Sequence, residues 1–524
     1  MPAPGRSGKP RRPRSAMLPG MFPRPPARRP AAAAPAFLCA LAATLPAAGC
    51  DCGGAAADAG TGGDAATPSD AAAPSDAAAT DGGAPALAVS DHGVTWTFAA
   101  PVETGRFVTG DPWIVCPATV VAIDPAPAPG RNGTVLNLPP VDDASGWDDR
   151  VEADRFDATL RSDPPIDLVA GDVLLSSVSI GTPGLVENWL REGNGESSLS
   201  PVLSISVLTC LDAPPPADAF RPSYGSGGDP TARIYTLSDL DTSLLPALAP
   251  TAPVDPAFLQ DFADRFARPW VDNLFFGFDA QVDYMPMYGR EHARAAGMAS
   301  LLLMLDLPPA LDAAQEQLLV GFVQHGIDLW GLVRAGYPGW EAFGGHGSGR
   351  KWPIVLAGLL LGDPEMASPS VTYPGVWFGE DMHTAFAADL LPPNDVPTWW
   401  DASGVVYTGH RGVWAGAPVD PGAWGPYEHL APEAWLDPIG ENYRRCCTSI
   451  AWVGEALAAH LVAAEPVWAH DAFFAYVDRW MDPTGDAAYT AEILTRTGLD
   501  YGAAWEAHGQ TWDVFVQDLW TAYR

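Results

Sequence analysis

The sequence predicts an α+β multidomain protein in which a β-sandwich-like domain precedes an all-α domain. Between residues 87 and 212, short apolar runs alternate with turn-forming clusters of Gly, Asp and Pro, a pattern typical of a sandwich. From about residue 255 onward, apolar residues recur at helical spacing. A Pro- and Gly-rich stretch, 213–234, separates the two patterns, so we assign residues 235–524 to the helical domain and treat 213–234 as a hinge.

Apolar runs and their turn-forming boundaries give the individual elements. Strands are predicted at 94–98, 106–108, 113–123, 134–138, 155–160, 166–168, 173–180 and 202–211. Helices are predicted at 255–268, 287–306, 311–334, 351–362, 382–390, 447–464, 466–480 and 502–522. Long Trp-containing loops, 336–350 and 391–446, separate some of these helices.

The first 50 residues have the features of a secretory signal. They contain eight Lys or Arg and no acidic residue. The basic residues precede an Ala-rich apolar stretch that ends at Ala47-Ala48-Gly49-Cys50. Gly49-Cys50 resembles the lipobox of bacterial lipoproteins, although that family usually has Leu where Ala47 stands. The resemblance implies acylation of Cys50 after cleavage, and therefore an exported protein that is lipid-anchored to a bacterial membrane and faces the periplasm or the cell surface. Plain cleavage with free secretion is the alternative.

Residues 51–86 form the predicted linker between this anchor and the folded protein. They consist almost entirely of Ala, Asp, Gly, Ser, Thr and Pro, which offer little apolar surface to bury. A flexible chain of this length has a root-mean-square span of about 30–35 Å. The linker would therefore hold the domains just off a membrane.

The charge balance limits the partners. The chain has 29 basic and 63 acidic residues, and without the first 50 residues its net charge is −42. Lys351 is the only lysine beyond residue 50. Nucleic acid is a poor partner for such a surface, and anionic lipid would not adsorb to it, so we expect membrane contact through the lipid anchor only.

Seven cysteines leave several possibilities open. An oxidising compartment allows a Cys116–Cys210 disulfide, which the sequence alone does not decide. The adjacent Cys446 and Cys447 are interpreted as a vicinal disulfide or as two buried thiols. A zinc site built on that pair would need other ligands, because residues 211–524 contain no third cysteine. We therefore expect no metal and no cofactor.

The most informative motif is a glycine-rich loop, Glu341-Ala-Phe-Gly-Gly-His346-Gly-Ser-Gly-Arg350-Lys351-Trp352. Glycines allow a close backbone approach to a ligand, and the helix that follows offers amides to an anion such as a uronate carboxylate. A nucleotide loop is excluded, because Arg350-Lys351 stands where Lys-Ser/Thr is required. The alternative is an ordinary turn with solvated charges.

Three further clusters combine aromatic and ionisable residues. Tyr288, Arg290 and His292 lie at the entry to a helix, where they form either a site or a helix cap. Glu380-Asp381-Met-His383 is interpreted either as a set of metal ligands or an acid/base pair, or as an acidic pair that begins a helix. The third cluster interleaves aromatic, acidic and basic residues as a sugar-binding cleft does: His410, Trp424, Tyr427, Glu428, Tyr443 and Arg444.

Antiparallel helices with long loops, attached to a β-sandwich, resemble the toroidal (α/α) barrel enzymes, which include polysaccharide lyases and glycoside hydrolases. The resemblance covers about residues 250–524 and implies a toroid-like domain acting on a polysaccharide. The favoured function is a lyase that cleaves a uronate-containing glycan by β-elimination, with catalytic residues His346, Tyr443, Tyr288 and Arg350. The remaining substrate-binding candidates are Arg290, His292, Trp352, His410, Trp424, Tyr427, Glu428 and Arg444.

Two alternatives stay open. A glycoside hydrolase would use two carboxylates. Its candidate pairs come from Glu291, Glu341, Glu380, Asp381, Glu428 and Glu441. A lipoprotein that binds glycan without catalysis, through the sandwich, is the non-enzymatic alternative.

Replacing Cys50 with Ser tests the anchor. The variant should lose membrane association because it lacks the thiol that would be acylated, while its folded domains persist. Detergent phase partitioning measures the difference, and equal partitioning of the two proteins would contradict the lipid anchor.

Overall fold

The protein combines helices and sheets in one chain. A computed structural model describes residues 85–139, 145–150, 156–181, 186–187, 189–190, 199–273, 282, 284–342, 344–389, 404–408, 428, 432–434, 444–498, 500 and 510–524. Of these residues, 42% are helical and 21% are in strands, so the chain belongs to the α+β class, as the sequence predicts.

Short strands dominate the first part of the chain. In the described residues they are β1 Ala86–Asp91, β2 Val94–Val102, β3 Thr104–Arg106, β4 Pro112–Val115, β5 Ala118–Asp124, β6 Thr134–Leu136, β7 Ile166–Leu168, β8 Val173–Ser179, β9 Val186–Glu187, β10 Leu199–Ser200, β11 Val202–Leu211, β12 Thr384–Phe386 and β13 Val405–Tyr407.

These strands form two main sheets. The first is antiparallel, in the order β1-β2-β5-β7. The second has the order β3-β4-β11-β8-β6, and its β4–β11 pair is parallel. Two small antiparallel pairs, β9–β10 and β12–β13, complete the described strands.

The five-stranded sheet is covered on both faces. Because successive side chains of a strand point to opposite faces, Leu174 packs into a cluster shared with the four-stranded sheet, whereas Val173 and Leu175 pack into the helical core. On β11 the same alternation sends Leu208 to the first cluster and Val207 to the second. This sheet is therefore the middle layer between the other sheet and the helices.

The helices follow in the second part of the chain. In the described residues they are α1 Pro256–Phe266, α2 Gly289–Leu303, α3 Asp312–Arg334, α4 Lys351–Leu360, α5 Pro364–Ala367, α6 Pro369–Thr372, α7 Gly379–His383, α8 Ser449–Leu461, α9 Glu465–Trp468, α10 Asp471–Trp480, α11 Pro483–Thr497 and α12 Val514–Tyr523. All residues of α2 are buried. Within the described part of the chain, no helix has both the length and the apolar character to cross a bilayer.

Most predicted elements are confirmed within a few residues, but the predicted strand at 113–123 is divided into β4 and β5 and the predicted helix at 466–480 into α9 and α10. The predicted strand at 106–108 overlaps β3 only at Arg106. Two further predictions are wrong. The predicted helix at 382–390 ends as α7 at His383, because residues 384–386 pair with 405–407 instead. The predicted strand at 155–160 contains a 3-10 turn, Ala158–Leu160, capped by the Asp157 side chain. β1 was not predicted, because its residues are half exposed and its sequence, ALAVSD, lacks strict alternation. The predicted domain boundaries stay predictions.

Both cysteine pairs are disulfide-bonded. Cys116 and Cys210 link the start of β5 to the end of β11, with their Cα atoms 5.8 Å apart. Cys446 and Cys447 form a vicinal disulfide within the π-helical turn Arg444–Thr448, directly before α8.

Arg221 connects the sheets to the helices. Its Nε donates to Asp111 Oδ2 at 2.8 Å, beside β4, and its terminal nitrogens donate to both oxygens of Asp328 on α3, at 3.0 and 2.7 Å. All three side chains are buried. Nearby, Ser223 Oγ donates to the Asp328 carbonyl at 2.9 Å. The stretch that the sequence suggests as a hinge thus contains a buried ionic junction.

Replacing Arg221 with Met tests the junction. The variant leaves two buried carboxylates without their cation, so we expect a loss of about 3–5 kcal/mol in the free energy of unfolding. Arg524→Met is the matched control, because Arg524 also contacts both oxygens of one carboxylate, Asp478, but on the surface. It should cost about 1 kcal/mol or less. Equal losses in urea titrations of the two variants would contradict the junction's importance.

Candidate functional site

The glycine-rich loop 344–350 lies deep among the helices. A Cβ on Gly345 would overlap the Cys447 carbonyl oxygen and the Tyr288 hydroxyl. Gly349 has a φ of +92°, which side chains rarely adopt, and a Cβ there would overlap the backbone at the start of α2. Glycine is thus required here by close packing against neighbouring chain segments, whereas the sequence pattern suggested approach to a ligand.

Arg350 fixes the shape of this loop. Its Nε and one terminal nitrogen donate to the two oxygens of Asp272, at 2.7 and 3.1 Å. The other terminal nitrogen donates to the carbonyls of His346 and Ser348, at 2.7 and 2.8 Å. The Arg350 guanidinium is thus buried, and its hydrogen bonds go to Asp272 and to the loop backbone.

His346 and Tyr288 lie next to each other. Their rings meet edge to face, with centroids 4.6 Å apart. The backbone N–H of Gly345 donates to the Tyr288 hydroxyl at 2.6 Å, which fixes the phenol in place. Tyr288 is buried, whereas His346 is partly exposed. The structure thus brings a predicted base and a predicted acid into contact.

Arg290 lies beside this pair and carries its own counter-ion. Its guanidinium carbon is 5.9 Å from the Tyr288 ring centroid and 5.0 Å from the Trp512 ring centroid. Two of its nitrogens donate to Oε1 of Glu291. Burial raises the pKa of Glu291, although the neighbouring Arg290 works against that shift. Arg290 and Glu291 therefore form an ion pair in the protein interior.

His292 is buried on α2, one helical turn after Tyr288. Its ring faces Trp270, with centroids 5.7 Å apart, and its Nδ1 is 4.0 Å from Asp272 Oδ2. Burial, and then the charges of Arg350 and His325, hold the pKa of His292 well below its usual value. His292 is therefore a neutral interior histidine, away from the partly exposed edge where His346 lies.

A second buried group surrounds Lys351 at the start of α4. Its ammonium pairs with Asp381, and it lies 4.9 Å from the Trp468 ring centroid. Trp468 Nε1 donates to Asp381 Oδ1 at 2.8 Å. Burial lowers the pKa of Lys351. The sequence placed Lys351 beside a candidate anion site, with solvated charges as the alternative; in the structure Lys351 and Asp381 form an internal ion pair in contact with aromatic rings.

Two buried carboxyl groups complete the interior. Glu380 accepts a hydrogen bond from the Gly349 backbone, and burial raises its pKa to about 7. Glu455 on α8 is fully buried, and neither of its carboxyl oxygens has a hydrogen-bond partner among the described residues. Burial, and then the nearby Glu380, raise the pKa of Glu455 well above its usual value. Both effects favour the uncharged form of Glu455.

Glu428 and Arg444 belong to a separate buried cluster. Glu428 accepts from Arg479 at 2.7 and 2.6 Å and from the Tyr407 backbone N–H at 2.6 Å. Arg444 NH1 is 3.7 Å from Glu428 Oε1 and donates to the Tyr476 hydroxyl at 3.2 Å. These two predicted sugar-binding residues are thus engaged with each other and with the protein.

Trp352 is also internal: its Nε1 donates to Ser300 Oγ at 2.9 Å. Six predicted residues lie outside the described part of the chain: Cys50, His410, Trp424, Tyr427, Glu441 and Tyr443. Sequence reasoning missed Asp272 and Glu455. A lone Glu in the otherwise apolar helix 449–461 was a usable signal for Glu455, whereas nothing in the sequence around Asp272 marks it.

Two cavities among the described residues lie away from this group. One of about 330 Å³ is lined by residues of the 223–235 stretch and of α3, among them Trp330 and Arg334. Another, of about 410 Å³, lies between Val108 and the start of α3. Neither is lined by a predicted site residue. The case for a site at His346 therefore rests on side-chain chemistry and exposure.

Replacing Glu380 with Gln tests the buried carboxyl. Folding raises the pKa of Glu380 from 4.5 to about 7, so the folded protein holds this proton more tightly than the unfolded chain. The wild type should therefore lose stability as the pH rises from about 4.5 to about 7. Gln keeps an oxygen for the Gly349 N–H and carries no charge at any pH.

The free energy of unfolding of Glu380→Gln, measured relative to that of the wild type, should increase by roughly 3 kcal/mol as the pH rises through that range. Above it, the difference between the two proteins should stay constant. Urea titrations at a series of pH values measure the difference. Glu492→Gln, on the surface of α11, is the control and should differ little from wild type at every pH. If the difference in unfolding free energy between Glu380→Gln and the wild type does not change with pH, burial of the ionised Glu380 carboxylate does not destabilise the protein as expected.

Comparison with protein-family models, with curated proteins and with solved structures finds no match for this chain.

Proposed function

We propose that this protein is an exported enzyme of polysaccharide breakdown, a lyase that cleaves a uronate-containing glycan by β-elimination. The observation that carries the proposal is the contact between His346 and Tyr288. A titratable imidazole with partial exposure touches a phenol whose oxygen is held by a backbone N–H. A base beside an acid is the pair of groups that elimination needs.

The reaction assigns a role to each group. His346 takes the proton from C5 of the uronate, and the electron pair of the C–H bond forms the C4–C5 double bond. The bond from C4 to the glycosidic oxygen then breaks, and the Tyr288 hydroxyl gives its proton to that leaving oxygen. Electrons and protons balance without an oxidant or a further reactant.

Arg290 and Arg350 act in different ways in this proposal. Arg290, whose guanidinium carbon lies 5.9 Å from the Tyr288 ring centroid, is buried and bonded to Glu291, so in this proposal it contributes positive charge beside the pair without direct contact to the substrate. Arg350 is a positioning residue, because it holds the carbonyl of His346 and is itself held by Asp272. Stabilising the charge that develops on the uronate is the largest contribution expected of such a site.

A glycoside hydrolase receives less support from the described residues. Its mechanism needs two carboxyl groups facing the substrate. Glu291, Glu380, Asp381 and Glu428 are buried, and each is paired or hydrogen-bonded inside the protein. Glu341 is the described candidate with partial exposure.

The finer architecture and the location also belong to this proposal. We propose a β-sandwich, supported by the hydrophobic cluster that residues of both main sheets share, and a toroid-like helical domain, supported by long helices with connecting loops. Export and anchoring through Cys50 are supported by the basic, Ala-rich leader and the linker.

Three variants and a glycan panel test the function. His346→Ala should lower turnover by about 100-fold or more, because a general base is lost. Tyr288→Phe keeps the ring contact but removes the acid, so turnover should fall while some stability is lost at the Gly345 N–H. His470→Ala, a partly exposed histidine before α10, is the control and should retain turnover.

The readout is the ultraviolet absorbance of the conjugated double bond, measured beside the release of reducing ends. Elimination produces both, whereas hydrolysis produces reducing ends alone. Full turnover in His346→Ala, or reducing ends without absorbance in the wild type, would overturn the proposal. Absence of any cleavage of uronate and neutral glycans would leave binding alone as the function.

A further inference from the structure

Three chemistry-bearing side chains meet at two turns on the sheet side of the protein. Asp91 ends β1, and His92-Gly93 form the two-residue turn to β2, with φ values of 40° and 83°. Positive φ at both positions is the mark of a type I′ hairpin. Asp111 ends the turn 107–111, which is closed by a hydrogen bond of 3.0 Å from the Phe107 N–H to the Asp111 carbonyl.

Side chains of β11 fix the backbone of the hairpin. Ser206 Oγ donates to the carbonyl of Asp91 at 2.8 Å, and Ser204 Oγ donates to that of His92 at 2.7 Å. The three side chains are thus presented from well-anchored backbone. Ligand atoms of Asp91, His92 and Asp111 all lie within 4.8 Å of one another.

Each aspartate uses one oxygen and leaves the other without a partner. Asp91 Oδ1 accepts from Arg106 at 3.0 Å, and Asp111 Oδ2 accepts from Arg221 and from Thr109 Oγ1, both at 2.8 Å. The other two oxygens, Asp91 Oδ2 and Asp111 Oδ1, are buried and make no hydrogen bond within the described residues. The two aspartates are only 5% and 2% exposed.

This arrangement is unfavourable for the protein alone. Burying unpaired carboxylate oxygens costs free energy, and two carboxylates that lie close together repel. Burial, and then the charge of Asp111, raise the pKa of Asp91 to about 7. Either a proton on one carboxyl group or a cation bound by both would reduce the cost.

We propose that Asp91, His92 and Asp111 bind a divalent transition-metal ion of the zinc class. An imidazole nitrogen beside carboxylate oxygens suits Zn²⁺, whereas Ca²⁺ and Mg²⁺ take oxygen ligands. With metal–ligand bonds of about 2.0–2.2 Å, tetrahedral ligands of one ion lie about 3.3–3.6 Å apart, so the three side chains would close by up to about 1.5 Å around the ion. The His92 side chain is 32% exposed, which gives the ion a route and leaves room for water as a fourth ligand.

The surroundings suit a structural ion. Arg106 and Arg221 each hold one oxygen of an aspartate, and hydrogen bonds of this kind orient the ligands of a metal. Through Arg221, the ion would also be connected to Asp328 on α3. The ion would thus join the β1–β2 hairpin, the 107–111 turn and the helical core.

Metal titration of the full protein, prepared without a polyhistidine tag and cleared by chelation, tests the proposal. Zn²⁺ alone should bind at one equivalent in calorimetry and raise the melting temperature. His92→Asn keeps a residue that type I′ turns favour and removes the imidazole, and Asp91→Asn removes a charge. Each should weaken Zn²⁺ binding by at least about tenfold, the scale on which groups around a metal matter.

His470→Asn is the matched control, because His470 also adjoins an aspartate, Asp471, outside the cluster, and it should bind as the wild type does. Co²⁺ provides a second readout: its visible spectrum should lack a sulfur charge-transfer band and should be lost in His92→Asn. Equal Zn²⁺ affinity in wild type, His92→Asn and Asp91→Asn would overturn the proposal. The proposal would also be overturned if the wild type binds no ion and the Asp91→Asn variant is more stable than the wild type above pH 7. A proton shared by the two aspartates would then explain the buried pair.

Discussion

The ion pairs of Arg221 are the interaction on which the arrangement of the layers depends. One guanidinium contacts Asp111, directly before β4 of the five-stranded sheet, and Asp328 on the longest described helix. Burial raises the pKa of Asp328 to about 6, against the opposing effect of Arg221. A buried cation with two carboxylates is costly unless every partner is in place, so the layers are held in one relative position.

Interior charge recurs throughout the helical part. Arg350 with Asp272, Lys351 with Asp381, and Arg479 with Glu428 are all buried pairs. Such pairs contribute little net stability compared with apolar packing, but they allow few alternative arrangements of the loops they hold. Arg350 shows the effect most directly, since its hydrogen bonds to two carbonyls set the path of the chain on either side of Gly347.

The sequence predicted the fold class and most elements, because periodicity reports which face of a segment is buried. It failed at residues 384–386, where pairing with a distant strand outweighs local helical pattern. For the site it named His346 and Tyr288 in one catalytic set, although they belong to separate motifs. It did not reveal the internal partners of Arg350, Glu428 and Arg444, because a counter-ion that lies far along the chain leaves no local pattern. Asp272 is 78 residues from Arg350, and no local pattern encodes that pairing.

The middle position of the five-stranded sheet has an evolutionary consequence. Along β11, Ile205 and Val207 face the helices while Leu208 and Cys210 face the other sheet. Inserting or deleting one residue in this strand would exchange the two sets and turn Cys210 away from Cys116. Descendants of this gene should therefore vary in length in their loops and keep the length of β11, even where its side chains change.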